Sequence, residues 1–397
     1  MNTKDLTDKY IMNTYGRFKT EITRGEGTYV YDENNKEYLD FTSGIAVNSL
    51  GYGDKDCINA IIEQINKFNH CSNLYYSEPQ AQVAQILIEN SCFEKVFFCN
   101  SGAEANETMI KIAKKFGKTK GEECYTIITM KNSFHGRTTG ALSATGQTKY
   151  QKNFTPLLPN FKYAEFNNLD SVKALVDNSV CAIIVEPVQG EGGLYPADKN
   201  FLTGLRNLCD EKNILLGFDE VQCGIGRLGT LFAYQTFGVE PDMAAMAKGL
   251  ANGLPIGACA AKEKAASILV PGDHASTFGG NPVSCTSAKV VLNKLINGGI
   301  LNNVKDTGYY MQTKLLELKK QYTVIKDVRG IGLMSGIELT TNVKEIITKA
   351  MEKGLLIIGA GEHVIRLVPP LIISKNDIDK MISILKSVLD DINNNKD

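Results

Sequence analysis

Ile214-Leu215-Leu216-Gly217-Phe218-Asp219-Glu220-Val221-Gln222 is a short apolar run that ends abruptly in two carboxylates. An apolar segment of this length, without polar alternation, is the pattern of a strand buried on both faces. Upstream, Val96-Phe97-Phe98-Cys99, Tyr125–Met130 and Ala182–Val185 repeat it, each separated from the next by a helix-length segment. Together they predict an α/β fold whose large domain holds a mainly parallel sheet, covered by helices on both faces.

Outside this block the texture changes. Residues 29–41 read as two short strands around an Asn34-Asn35 turn. From about residue 286 a lysine-rich helical stretch runs through Lys320, followed by short strands between Val324 and Leu339 and an amphipathic ending from Ile378. A chain of 397 residues exceeds what one core usually serves. We therefore expect residues 1–54 to be the N-terminal segment of a smaller α+β domain, 55–285 the large domain, and 286–397 the C-terminal part of the small one.

Composition excludes several function classes. A formal net charge of -1 with 22% charged residues gives no electrostatic bias toward nucleic acid or an anionic membrane. The 10 cysteines lie singly in apolar segments without a Cys-x-x-Cys pair, which is the usage of a reducing compartment. Four histidines (His70, His135, His274 and His363) show no ligand spacing, so no metal is expected. The first 20 residues lack the apolar run of a secretory signal, and a cytoplasmic location is expected.

Ligands gather at the carboxyl ends of strands in open parallel sheets, so the residues after each run matter most. After Cys99 come Asn100-Ser101-Gly102-Ala103 and a helical run, whose open first-turn amides suit a phosphate; a plain helix cap reads the same way. After Met130 come Phe134-His135-Gly136-Arg137, a ring to stack on a flat cofactor and a guanidinium to clamp a carboxylate, or a packed aromatic beside a surface cation. After Val185, Glu186 and Glu191 flank a glycine-rich stretch that suits a mobile active-site loop or an ordinary turn. Asp219 needs a cationic partner if buried, such as a protonated pyridine, unless it caps a following helix. Lys248, approached by Met243-Ala244-Ala245-Met246-Ala247, would have its amine pKa lowered by desolvation and become a nucleophile for an aldehyde, unless it snorkels to solvent. Phosphate cradle, ring stacker, pyridine partner and amine are jointly what pyridoxal phosphate asks of a protein.

These stretches, with Asp40–Asn48, Ser276-Thr277-Phe278-Gly279-Gly280-Asn281-Pro282 and Arg366-Leu367-Val368-Pro369-Pro370, resemble the class III, fold-type I aminotransferases acting on ω-amino groups, over nearly the whole chain. The resemblance implies pyridoxal 5'-phosphate as cofactor. Ser101, Gly102 and Ala103 would hold its phosphate, Phe134 would stack on the ring, Asp219 would meet the pyridine nitrogen, Gln222 the phenolic oxygen, and Lys248 the aldehyde. It also implies a homodimer with shared active sites, in which Thr277 reaches the neighbouring subunit's phosphate. Ser276 and Arg137 would contact an ω-amine donor, and Arg366 the α-carboxylate of glutamate or 2-oxoglutarate. Glu191 would mask Arg366 while the donor is bound.

The likeness is greatest to members that act on N2-acetyl-L-ornithine in arginine biosynthesis. Gly44 supports an acylated donor, because the members that use free ornithine place a tyrosine there; succinylated ornithine or diaminopimelate remain open. A decarboxylase or aminomutase of the same fold would need no second carboxylate clamp. One departure stands out. Leu50-Gly51-Tyr52-Gly53-Asp54 lacks the histidines that relatives carry in this region.

Overall fold

The computed structural model describes residues 2–394. Near the N-terminus, β1 (Ile22–Glu26), β2 (Tyr29–Asp32) and β3 (Glu37–Asp40) form an antiparallel meander, with β2 and β3 on either side of the expected turn.

The large sheet follows. Its strands are β4 (Lys95–Cys99), β5 (Thr126–Met130), β6 (Phe161–Ala164) and β7 (Val180–Val185); after a small hairpin of β8 (Val188–Gln189) and β9 (Tyr195–Pro196) come β10 (Leu215–Asp219), β11 (Met243–Met246) and β12 (Gly257–Ala261). The order across the sheet is β4-β12-β11-β10-β7-β5-β6, with β12 antiparallel to both neighbours and the remaining pairs parallel. Strands β5, β7, β10 and β11 are buried along their whole length, as their apolar composition demands.

Strands β6 and β12 are not legible as apolar runs, and each has a reason. Phe161-Lys162-Tyr163-Ala164 is a half-buried edge. Gly257-Ala258-Cys259-Ala260-Ala261 has little intrinsic strand preference but fills the slot between β4 and β11, where small side chains fit.

Beyond the large sheet, β13 (Ile325–Ile331), β14 (Met334–Leu339), β16 (Ile358–Gly359) and β17 (Val364–Leu367) make a third sheet, while β15 (Leu355–Leu356) pairs in parallel with β3 of the N-terminal meander. Among the described residues no helix is long and apolar enough to cross a membrane. The ten cysteines are all free, and only Cys71 and Cys92 are partly exposed.

An ion-pair cluster ties the β8–β9 hairpin to the third sheet. Arg329 donates to Glu338 (2.6 Å) and to the Gly193 carbonyl (2.8 Å), and its guanidinium lies 3.8 Å from the Tyr195 ring centroid. Lys326, with Arg329, holds the Glu338 carboxyl down at about 2, from an ordinary 4.5. A depressed carboxyl stabilises the fold above its unfolded pKa, and that contribution fades as pH falls through the folded value. Replacing Glu338 with Gln should therefore flatten the loss of stability between pH 4.5 and about 2, measured by urea unfolding at stepped pH.

Candidate active site

The parallel strands all deliver their carboxyl ends to one edge of the sheet, and the candidate residues lie there. At the end of β4, Ser101 caps the helix Gly102–Lys118, its Oγ accepting from the Glu104 amide (3.2 Å). First-turn amides have no carbonyl within their own helix, so those of Gly102 and Ala103 are available to an anion. Gly102 has to be glycine: a Cβ there would sit 2.5 Å from Val221 Cγ1. Asn100 donates to the Ser276 hydroxyl (3.0 Å), which joins the Ser276–Thr277 loop to this strand end.

Asp219, the last residue of β10, is 3% exposed. No helix starts after it, so it is not a helix cap; the chain continues through turns until Ala233. Its Oδ1 accepts from the Val221 amide (3.0 Å), while Oδ2 accepts from Asn106 (2.8 Å) and lies 2.7 Å from His135 Nδ1. Asn106 and His135 were not singled out from sequence. The available signal was spacing: Asn106 stands one helical turn after Gly102, and His135 directly follows Phe134.

The glycine-rich stretch after β7 forms the β8–β9 hairpin and its connecting turn, held by hydrogen bonds. Glu186 accepts from the Phe134 amide (3.0 Å) and from the Gly190 amide (3.3 Å). Burial first, and Asp219 second, push its carboxyl well above the ordinary range. Gly190 lies so close to Gln222 that a Cβ would sit 2.5 Å from that side-chain amide. From this hairpin Glu191 forms an ion pair with Arg366 of β17, which also donates to Gln222 Oε1 (3.3 Å). Arg366 is 3% exposed. Burial acts to raise the Glu191 carboxyl, but the Arg366 guanidinium outweighs it and holds the group below its usual value.

Lys248 opens the single turn after β11 with φ +39, a conformation disfavoured for any residue with a side chain and typical of functional positions. Burial, and then the Arg366 charge, lower its amine pKa, with Glu191, Asp219 and Glu186 as opposing neighbours. These five groups therefore share one cluster.

Phe134 and Arg137 form a second group. Arg137 is exposed, with its guanidinium 4.3 Å from the Tyr150 ring centroid and 5.6 Å from that of Phe134, and it lines a cavity with Tyr15, Leu142 and Phe154. Thr277 does not join either group; it is exposed on its loop and lines a separate cleft with His70, Tyr75, Tyr76 and Phe98.

The donor set fits pyridoxal phosphate: an amide cradle where a Cβ would clash, a buried carboxylate held in place by Asn106, His135 and the Val221 amide, and a desolvated amine. The class III aminotransferase family matches residues 10–389, and the chain belongs to that family. Enzymes of this class use pyridoxal 5'-phosphate. The acetylornithine aminotransferase of Clostridium acetobutylicum is 50% identical over 383 residues, covering 96% of this chain and 99% of its own. That of Methanocaldococcus jannaschii is 47% identical, covering 98% of each. Among solved structures, the N-acetylornithine aminotransferase of Stenotrophomonas maltophilia superposes with a TM-score of 0.84 at 35% identity, covering 98% of each chain. The ornithine aminotransferase of Toxoplasma gondii superposes with a TM-score of 0.95 at 29% identity, covering 100% of this chain and 97% of that one. The fold is that of the fold-type I aminotransferases.

The Asn106 bond to a buried carboxylate should contribute about 1.5–3 kcal/mol. Replacing Asn106 with Leu, which also removes its bond to the His135 carbonyl (2.8 Å), should lower the unfolding free energy of the cofactor-free protein by at least that amount, read from urea titrations at neutral pH.

Proposed function

We propose that this enzyme transfers the δ-amino group of N2-acetyl-L-ornithine to 2-oxoglutarate, giving N-acetyl-L-glutamate 5-semialdehyde and L-glutamate. The observation that carries this reading is the Glu191–Arg366 ion pair beside Lys248. A transferase that takes an ω-amine in one half-reaction and an α-amino acid in the other must hide its α-carboxylate clamp in the first and expose it in the second. A decarboxylase of the same fold needs no such device.

Bound pyridoxal phosphate supplies an aldehyde that takes up the amine and a pyridine ring that draws electrons from the carbon losing its proton. The chain's residues do the rest. Lys248 Nζ, with its lowered basicity, takes the proton from the donor's Cδ. Asp219, oriented by Asn106 and His135, would pair with the pyridine nitrogen. Ser101, Gly102 and Ala103 would hold the phosphate, Phe134 would cover the ring and Gln222 would bond its phenolic oxygen. Arg137, stiffened by Tyr150, takes the donor's α-carboxylate with Ser276, and Gly44 leaves room for the acetyl group. In the second half-reaction Glu191 moves aside and Arg366 takes the α-carboxylate of 2-oxoglutarate.

Thr277, exposed on its loop, completes the phosphate site of a second copy, so the working form is a cytoplasmic homodimer with shared sites.

A panel of acetylornithine, succinylornithine, N-succinyl-diaminopimelate and free ornithine, each with 2-oxoglutarate, tests the donor. Acetylornithine should give the highest kcat/KM, and Lys248→Ala should abolish both turnover and the bound cofactor's visible absorbance. A higher kcat/KM for ornithine would overturn the donor assignment.

Glu191→Ala should shift the balance between half-reactions. Single-turnover rates with acetylornithine should fall about tenfold more than those with glutamate, because the bared Arg366 then captures the donor's carboxylate in an unproductive pose.

A further inference from the structure

Tyr52, in the segment Leu50–Asp54, is held by both its main chain and its ring. Its amide donates to the Gly27 carbonyl (2.8 Å) and its carbonyl accepts from the Gly27 amide (2.9 Å). Its ring lies against Gly25, where a Cβ would come within 2.5 Å of Tyr52 Cγ. With main chain and ring both held, the hydroxyl donates to Asp40 Oδ2 at 2.7 Å.

Asp40 is 1% exposed. Its other oxygen accepts from the Thr42 amide (2.7 Å), the Thr42 hydroxyl (2.7 Å) and the Ser43 amide (3.1 Å). A carboxylate taken out of water holds its donors firmly, since losing one leaves charge uncompensated.

The segment that begins at those donors is strained. Ser43, Gly44, Ile45 and Ala46 all have positive φ, between +44° and +67°. Glycine adopts this readily, whereas the other three do not, least of all the β-branched Ile45. Ile45 is 42% exposed, so packing does little to hold it there. Hydrogen bonds hold the turn instead. The Ser43 hydroxyl donates to the Val368 carbonyl (2.5 Å), two residues past Arg366, and the Ser49 hydroxyl donates to the Gly249 carbonyl (3.1 Å), next to Lys248. The left-handed turn and the residues just after it thus link the strand end bearing one substrate clamp to the turn bearing the amine. Gly44 lies within it, under the Asn48 side chain, whose nitrogen would be 3.2 Å from a Cβ.

We propose that Tyr52 is a positioning residue for donor selection. Through Asp40 it keeps the turn Ser43–Ala46 in the shape that leaves acyl room at Gly44. This rests on the reading of the Lys248–Arg366 site given above, and it assigns the form of the acyl pocket to a phenol that works through a buried carboxylate.

The test uses the holoenzyme. Tyr52→Phe keeps the ring and the Gly27 bridge and deletes only the hydroxyl. Amide hydrogen exchange in residues 40–48 should quicken roughly tenfold, with exchange elsewhere and the cofactor's absorbance unchanged. The KM for acetylornithine should rise roughly tenfold, while kcat and the KM for 2-oxoglutarate stay within about twofold. Free ornithine should lose less, so selectivity narrows. Unchanged exchange with an unchanged acetylornithine KM would overturn the proposal, and so would an equal loss for both substrates. If Tyr52→Phe does not fold, Thr42→Val, which removes a hydroxyl donor from the same carboxylate, is read by the same criteria. Wild-type enzyme that moves no amino group from acetylornithine would refute the functional reading instead, while the exchange measurement decides the tie between Tyr52 and the turn on its own.

Discussion

A carboxylate at the end of a buried central strand has to be matched by donors, and the structure around Asp219 is organised by that requirement. Its partners come from three separate places: Asn106 on the helix after β4, His135 on the segment after β5, and the Val221 amide on the turn leading to Gln222. Satisfying one side chain therefore fixes the relative positions of the segments proposed to carry the phosphate cradle, the stacking ring and the phenolic contact. Leaving such a charge unmatched costs several kcal/mol, so the arrangement is not free to drift.

Charge is balanced in the same economical way around Lys248. Burial, and then Asp219, push Glu186 toward its neutral form. The Arg366 cation is matched by Glu191 and at the same time helps to discourage protonation of the lysine. An amine that is easily deprotonated, next to a cation that is always charged, is the division of labour that amino transfer between unlike substrates calls for.

The sheet was legible where its strands are covered on both faces, because burial there leaves a continuous apolar run. It was not legible at Gly257–Ala261, whose strand exists because two neighbouring edges need filling. Among the candidate residues, those at the carboxyl end of a strand stood out by position alone: Asp219 as the last residue of β10, Lys248 two residues beyond β11, and Ser101 between β4 and a helix. Asn106 and His135 could not, since their contact with Asp219 arises only when a helix and a loop pack over the same strand end. The pairing of Glu191 with Arg366, 175 residues apart, came from family likeness and from no local pattern. The glycines of the hairpin suggested mobility, but Gly190 is there for the close approach of Gln222.

That hairpin limits how substrates can trade places. Arg329 grips the Gly193 carbonyl and the Tyr195 ring, and Glu186 grips the Gly190 amide, so the backbone on either side of Glu191 is pinned. The freedom left beside Arg366 is rotation of the Glu191 side chain about its own bonds. The proposed exchange of substrates at Arg366 therefore asks only that a single carboxylate swing aside, with the main chain around it left where it stands.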